Sequence, residues 1–251
     1  MIDFGNFRPE GGLMKNDRIG RVSTSVTLRV LGRIENEVGT EVARAMPPFA
    51  LACLASLWEH HQGTWIHSLS LCRRAFITGQ ILGLAKDQIV LLATSGLIHD
   101  VGKLDIDVAI LDSPEALSES ELAIIRKHPT TMFTLLGAVM PEAAKIAVQH
   151  HEFGKGKFCY PRSDMISGVF PKGAFEKPVS AVDLRVEVPW MSRQLGEILS
   201  MLDFVDALSE PRAYKNAQPP EFVLGEVLKI YGKDMHEIAK GAIGIKLAYA
   251  P

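Results

Sequence analysis

The run from Ile89 to Ile98 is apolar along most of its length and stops abruptly at an adjacent His99 and Asp100. A stretch that is apolar on nearly every side predicts a buried helix. Ending such a helix in a His-Asp pair is costly unless a hydrogen-bond partner or a metal offsets the desolvation. Imidazole and carboxylate together suit Zn, Mn or Fe, and a carboxylate can bridge two cations. Gly102 then allows a turn, and Lys103 places a cation beside the pair. Alone, the dipeptide fits a satisfied hydrogen bond at a helix end as well as it fits a metal site. The rest of the chain decides between them.

With 251 residues, 47% of them hydrophobic, the chain has ample material for one main core. The expected organisation is an N-terminal extension over 1–46 and a principal domain over 47–251. A net charge of −2 offers no general electrostatic attraction for a nucleic-acid polymer or a membrane. Cys53, Cys72 and Cys159 are an odd set with no CxxC, which argues against a disulfide framework and fits a reducing cytoplasm. The opening MIDFGNFRPEGG carries no basic region followed by an apolar one, so no signal peptide is expected. Ile89 to Ile98 is too short to span a bilayer.

Residues 1–17 read as loosely held. Val22 to Val30 is rich in Ser, Thr and Val and suggests a strand, with helix from Leu31 to Ala45. From Pro47 the texture is helical: Phe49 to Trp58, Ser68 to Leu84, then Ile89 to His99. Ser118 with Glu121 three residues later is a capping box, opening a helix that should end near Lys127. Pro129 disfavours α geometry at His128 and suits the first turn of the next helix, so His128 falls at an interhelical corner. Pro141 opens a helix running to His150-His151. Residues 153–189 break the texture with Gly, Pro, Lys and isolated Phe, and Val179 to Val188 suggests a short strand. Helix returns from Met191 to Leu208, from Pro220 to about Tyr231, and from Met235 to Ala250.

Six of the eight histidines fall where they could converge: His67, His99, His128, His150, His151, and His60 or His61. His236 reads as surface. A lone helical His is more often a core or surface residue than a ligand. Several at helix ends, with a His-Asp pair and a later Asp203 inside an apolar helix, are a different matter. Neutral imidazoles and carboxylates are good ligands for two divalent metals, which would activate water and clamp a phosphodiester for in-line attack.

His67, His99-Asp100 and Asp203 match the order and context of the HD phosphohydrolase superfamily. More narrowly, the chain resembles the HD-GYP family across roughly residues 58–216. The run HDVGK, then Ile110-Leu111-Asp112-Ser113-Pro114, Leu117-Ser118-Glu119 and Ile125-Arg126-Lys127-His128-Pro129 follow that family's central stretch. His150-His151-Glu152 matches its HHE, and Asp203 through Leu208 followed by Arg212, Tyr214 and Lys215 matches its DxxDAL and RxYK. The resemblance implies an all-α HD-domain helical bundle, here with a small N-terminal extension and a long irregular insertion. It implies a metal-dependent phosphodiesterase acting on cyclic di-GMP or a related cyclic dinucleotide. His67, His99, Asp100 and Asp203 would hold one metal, and His128, His150 and His151 the second, with Asp100 bridging. Lys103 would contact a substrate phosphate. Arg212 and Lys215 would lie near the phosphate or guanine, with Tyr160 in the substrate pocket. Asp206 would orient its neighbours.

The chain also departs from the pattern. After HHE the run FGKGKFCYP is one residue longer than usual, with Lys155 where an Asp is usual and Cys159 for the Gly; Tyr160 and Pro161 remain. A Cys is denied backbone shapes that Gly allows, so the loop geometry must differ. Position 63 is Gly where some members carry an acidic residue for a third metal, so two metals are expected, drawn from Fe, Mn or Zn. The altered loop keeps two other functions open: hydrolysis of a different nucleotide, and a sensing or partner-binding module with little turnover. The segment 153–189 is expected to cover the cavity, set which nucleotide enters, and offer a surface to a protein partner.

Overall fold

A computed structural model describes residues 19–154, 160, 190–209 and 216–243. Those residues form an all-α bundle, as the sequence predicts, with no strand among them. The helices are α1 (Thr24–Glu37), α2 (Thr40–Arg44), α3 (Pro48–His60), α4 (Gln62–Ile81) and α5 (Lys86–Ile98). A 3-10 turn, Val101–Asp105, follows. Next come α6 (Val108–Leu111), α7 (Glu119–Ile125), α8 (His128–Leu136) and α9 (Pro141–Ala147). The last three described helices are α10 (Trp190–Ser209), α11 (Pro220–Tyr231) and α12 (Lys233–Ile243). None of the described helices is long and apolar enough to cross a membrane.

Two buried clusters share the central helices. One gathers Val30, Ile34 and Val42 from α1 and α2, Leu54 and Leu57 from α3, Leu69 from α4, and Leu97 and Ile98 from α5. The other gathers Leu71 and Ala75 from α4, Leu92 from α5, Ile146 from α9, Leu199 and Leu202 from α10, and Val223 and Ala239 from α11 and α12. Helices α4, α5 and α9 therefore present different faces to different cores. This is why the α5 run, buried without a break from Leu92 to Ile98, shows no polar stripe. It also ends in the interior, with His99 and Asp100 both buried.

The strand expected over Val22 to Val30 is instead the start of α1. Ser23 caps the helix by accepting from Val26 N at 3.3 Å. Thr27, Val30 and Ile34 are its buried residues, at i, i+3 and i+7. Burial of that stripe overrides the β preference of Val and Thr. The helix expected over Leu31 to Ala45 is broken at Gly39, whose φ of 139° is open only to glycine. The helix from Pro141 ends at Ala147, earlier than its sequence suggests. Beyond it the chain tightens: Gln149 N bonds to Ile146 O and His150 N to Ala147 O, each three residues back. The capping box is as expected, with Ser118 N donating to Glu121 Oε2 at 2.8 Å and Glu121 N to Ser118 Oγ at 3.3 Å. The segment 1–17, the strand suggested over 179–188 and the end of the last helix beyond Ile243 lie outside the described residues.

Cys53 and Cys72 are buried free thiols. Burial pushes the Cys53 thiol up to about 12 and raises Cys72 further still. Since the thiolate is the reactive form, neither should react with an alkylating reagent at pH 8 while the protein is folded. Peptide mass spectrometry after alkylation checks this: label on either position without denaturant would contradict the packing.

Candidate metal centre

Each site residue stands at or near the end of a helix, apart from His67 and Asp203, which face one another from within α4 and α10. His99 and Asp100 follow α5, His128 opens α8, and His150 and His151 lie in the tight turns after α9. The structure brings all seven together. The ligand-type atoms of His67, His99 and Asp100 lie within 4.8 Å of one another; so do those of His99, His150 and Asp203, and those of His128, His150 and His151.

Asp100 sits between the groups. Its Oδ2 lies 3.3 Å from His99 Nε2 and 3.9 Å from His67 Nε2, and its Oδ1 lies 3.2 Å from His128 Nε2. Lys103 Nζ donates to Oδ2 at 2.6 Å. Asp203 Oδ1 meets His67 Nε2 at 2.9 Å and His99 Nε2 at 4.0 Å.

The imidazoles share one device. Nδ1 of His99 donates to Gly96 O (2.8 Å), that of His128 to Ile125 O (2.7 Å), and that of His150 to Ala147 O (2.6 Å). Each acceptor is the carbonyl three residues back. A carbonyl can only accept, so Nδ1 carries the proton and Nε2 is left as a lone pair facing inward. His67 is likewise held at its outer nitrogen, with Nδ1 donating to Asp206 Oδ2 at 2.9 Å. Fixing a ring through its outer nitrogen in this way is how metal-ligating histidines are usually held.

Burial keeps the rings of His128, His150 and His151 neutral. It holds His150 down to about 4 and His128 and His151 well below the usual imidazole range. For Asp100 and Asp203, burial alone would raise the carboxyls. At Asp100 the neighbouring His99 and Lys103 outweigh it, and at Asp203 the hydrogen bond and charge of His67 do, so both stay well below the usual range. Burial likewise disfavours a charged His67, yet hydrogen bonds to Asp203 and Asp206 push it up to about 10.

This geometry fits divalent metal. His99 Nε2 and Asp100 Oδ1 are buried and have no hydrogen-bond partner among the described residues. The Nε2 atoms of His128 and His150 are 3.1 Å apart. Two neutral imidazoles with protonated Nδ1 atoms would there oppose lone pair to lone pair. A cation between them removes the repulsion, and two nitrogens about 2.1 Å from one ion at a right angle are separated by about 3 Å. The donor set of imidazoles and carboxylates suits Fe, Mn or Zn.

Around this cluster, Tyr160 stacks on the His151 ring at 4.6 Å, its N donates to His151 O at 2.9 Å, and the Arg126 guanidinium lies 5.9 Å from the Tyr160 ring. His60 and His61 point elsewhere. His60 Nε2 donates to Ile106 O at 2.8 Å, while His61 caps α4 and donates to Asp112 Oδ1 at 2.8 Å. His236 pairs with its neighbour Glu237 at 3.4 Å. Arg212 and Lys215, and nearly all of 153–189, lie outside the described residues.

Gly102 lies in the turn suggested by its sequence, the 3-10 turn Val101–Asp105, and it also permits a close approach. A Cβ there would lie 1.9 Å from His128 O and 2.8 Å from Met132 N. The residue is small because the 3-10 turn runs against the first turn of α8, which keeps Asp100 next to His128. Sequence reading also missed Ser70 and Arg74. Both donate to Asp206 Oδ1, at 2.9 Å and 3.0 Å. Their signal was present: with His67 they occupy i, i+3 and i+7 on one face of a mostly buried helix.

The class these observations define is an all-helical protein with a His/Asp cluster suited to metal. Particular relatives make it narrower. A cyclic di-GMP phosphodiesterase of Thermotoga maritima is 28% identical over 168 residues, 64% of this chain and 39% of its own. Another, of Pseudomonas aeruginosa, is 23% identical over 212 residues, 83% of this chain and 45% of its own. A 3'3'-cGAMP-specific phosphodiesterase of Vibrio cholerae is 30% identical over 147 residues, 58% of this chain and 26% of its own. The chain is thus related to cyclic-dinucleotide phosphodiesterases, in keeping with its resemblance to the HD-GYP family, and spans less than half the length of these three relatives. No family model matches it.

Proposed function

We propose that this chain is a dinuclear-metal phosphodiesterase that hydrolyses cyclic di-GMP or a related cyclic dinucleotide such as 3'3'-cGAMP. The observation that carries the reading is the position of Asp100, whose two oxygens face two different histidine groups. His67, His99 and Asp203 complete one metal position, and His128, His150 and His151 the other. Bound divalent ions would supply Lewis acidity toward a phosphoryl oxygen and lower the pKa of water. The protein's own groups do the rest. The Nδ1 hydrogen bonds hold each Nε2 in place. Lys103 balances the charge of Asp100 and reaches the phosphate being cleaved. Tyr160, packed on His151, borders the nucleotide, and Arg212 and Lys215 hold its phosphate or base. Hydrolysis adds water across one P–O bond of the cyclic substrate and yields a linear dinucleotide.

Residues 47–251 form the catalytic unit, and the extension over 1–46 braces it through α1 and α2, whose side chains enter the core beside α3. The segment 153–189 controls entry to the cavity and offers a surface to a protein partner. The enzyme works in the cytoplasm, which its odd set of cysteines fits.

The test is incubation of Mn- or Fe-loaded protein with cyclic di-GMP, 3'3'-cGAMP and cyclic di-AMP, followed by chromatography. Linear product from at least one, abolished by chelator, is the expected result. Retention of a nucleotide without product would overturn the hydrolase reading in favour of a sensor.

A further inference from the structure

We propose that Arg74 is a positioning residue for the metal centre, acting through Asp206 on His67. The inference rests on the metal-binding reading above and extends it beyond the ligand set. Asp206 is fully buried in the apolar interior of α10. It does not face the Nε2 side of the cluster; its Oδ2 takes the outer nitrogen of His67. For that oxygen to hold the ring, the carboxylate itself must be held. Two donors from α4 do so on the other oxygen, Ser70 Oγ and Arg74 Nε.

Arg74 is itself buried, 3% exposed, and its guanidinium is anchored at both ends. Nε donates to Asp206 Oδ1, and Nη1 donates at 3.0 Å to Ala242 O in the last turn of α12. The planar fork cannot turn toward one partner without leaving the other. A relay therefore runs from the end of α12 through Arg74 and Asp206 to the orientation of His67 Nε2. A lysine could neutralise Asp206 but has no rigid fork to span both acceptors.

The alternative is a helix tie that stabilises the bundle and leaves the metal untouched. Manganese binding, read by electron paramagnetic resonance on metal-stripped protein, separates the two, with melting temperature followed in parallel. Arg74→Met is expected to weaken one class of Mn sites about tenfold, within the range for loss of an outer-shell partner, and Arg74→Lys to recover part of that loss. Asp206→Asn should weaken the same class. If Arg74 acts through Asp206, the double variant Arg74→Met/Asp206→Asn binds Mn no more weakly than Asp206→Asn alone.

Unchanged Mn affinity in Arg74→Met with a lowered melting temperature would overturn the proposal. If Arg74→Met does not fold, the double variant, which leaves no unpaired buried charge, decides. Affinity equal to that of Asp206→Asn supports the relay, and a further tenfold loss overturns it. Absence of Mn binding by the wild-type protein would instead remove the metal-centre reading on which the relay depends.

Discussion

Replacing Asp100 with alanine is expected to remove bound metal and cut turnover at least about a thousandfold, the scale at which loss of one preorganised electrostatic group acts. In the proposed site this carboxylate faces both histidine groups with different oxygens, Oδ2 toward His67 and His99 and Oδ1 toward His128. Without it, the two dications would lose the carboxylate whose two oxygens face them both. The fold should survive. Asp100 lies at the end of α5 and its charge is balanced by Lys103, whose side chain keeps 22% exposure and can turn to water. Elemental analysis, circular dichroism and a cyclic-dinucleotide assay on one preparation check all three statements. A folded Asp100→Ala that still carries two metals per chain would contradict the bridging role.

The second large effect is expected at Gly102. An alanine Cβ there would lie 1.9 Å from the carbonyl oxygen of His128 and 2.8 Å from the amide nitrogen of Met132. Both are backbone atoms of α8, so no side chain can swing aside. Overpacking of well-packed interiors costs about 1–3 kcal/mol, and rigid neighbours place this case near 3 kcal/mol. For a chain of this size that corresponds to a melting-temperature loss of roughly 6–12 °C. The same shift moves His128 away from Asp100 and His150, so the His128, His150, His151 position should lose metal before the other does. Melting curves and metal stoichiometry check it. A Gly102→Ala protein melting within a degree of wild type with full metal content would show that the close approach is not structural.

Much of the candidate site was legible because several of its residues interrupt a pattern and the rest follow the family's motifs. His99-Asp100 ends an apolar run, His128 precedes a proline, and Asp203 and Asp206 lie inside an apolar helix. What the pattern hides is how each group is held. That Nδ1 of three histidines bonds the carbonyl three residues back depends on the local winding of helix ends, which composition does not encode. Val22 to Val30 looked like a strand because β-branched residues crowd there, and only burial against α3 shows which face matters. His60 and His61 could not be told from ligands by spacing; their bonds to Ile106 and Asp112 separate them. Arg74 was visible as a charge on a buried helix, but its partner is 132 residues away and its second contact 168.

The central claim is that the inward-facing imidazoles and carboxylates hold two divalent ions on either side of Asp100. Anomalous X-ray diffraction from crystals of the Mn-loaded protein, recorded at the Mn absorption edge, tests it most directly. The account predicts two anomalous peaks, one among His67, His99 and Asp203 and one among His128, His150 and His151, with an Asp100 oxygen on each. A single peak, or peaks away from these side chains, would contradict it.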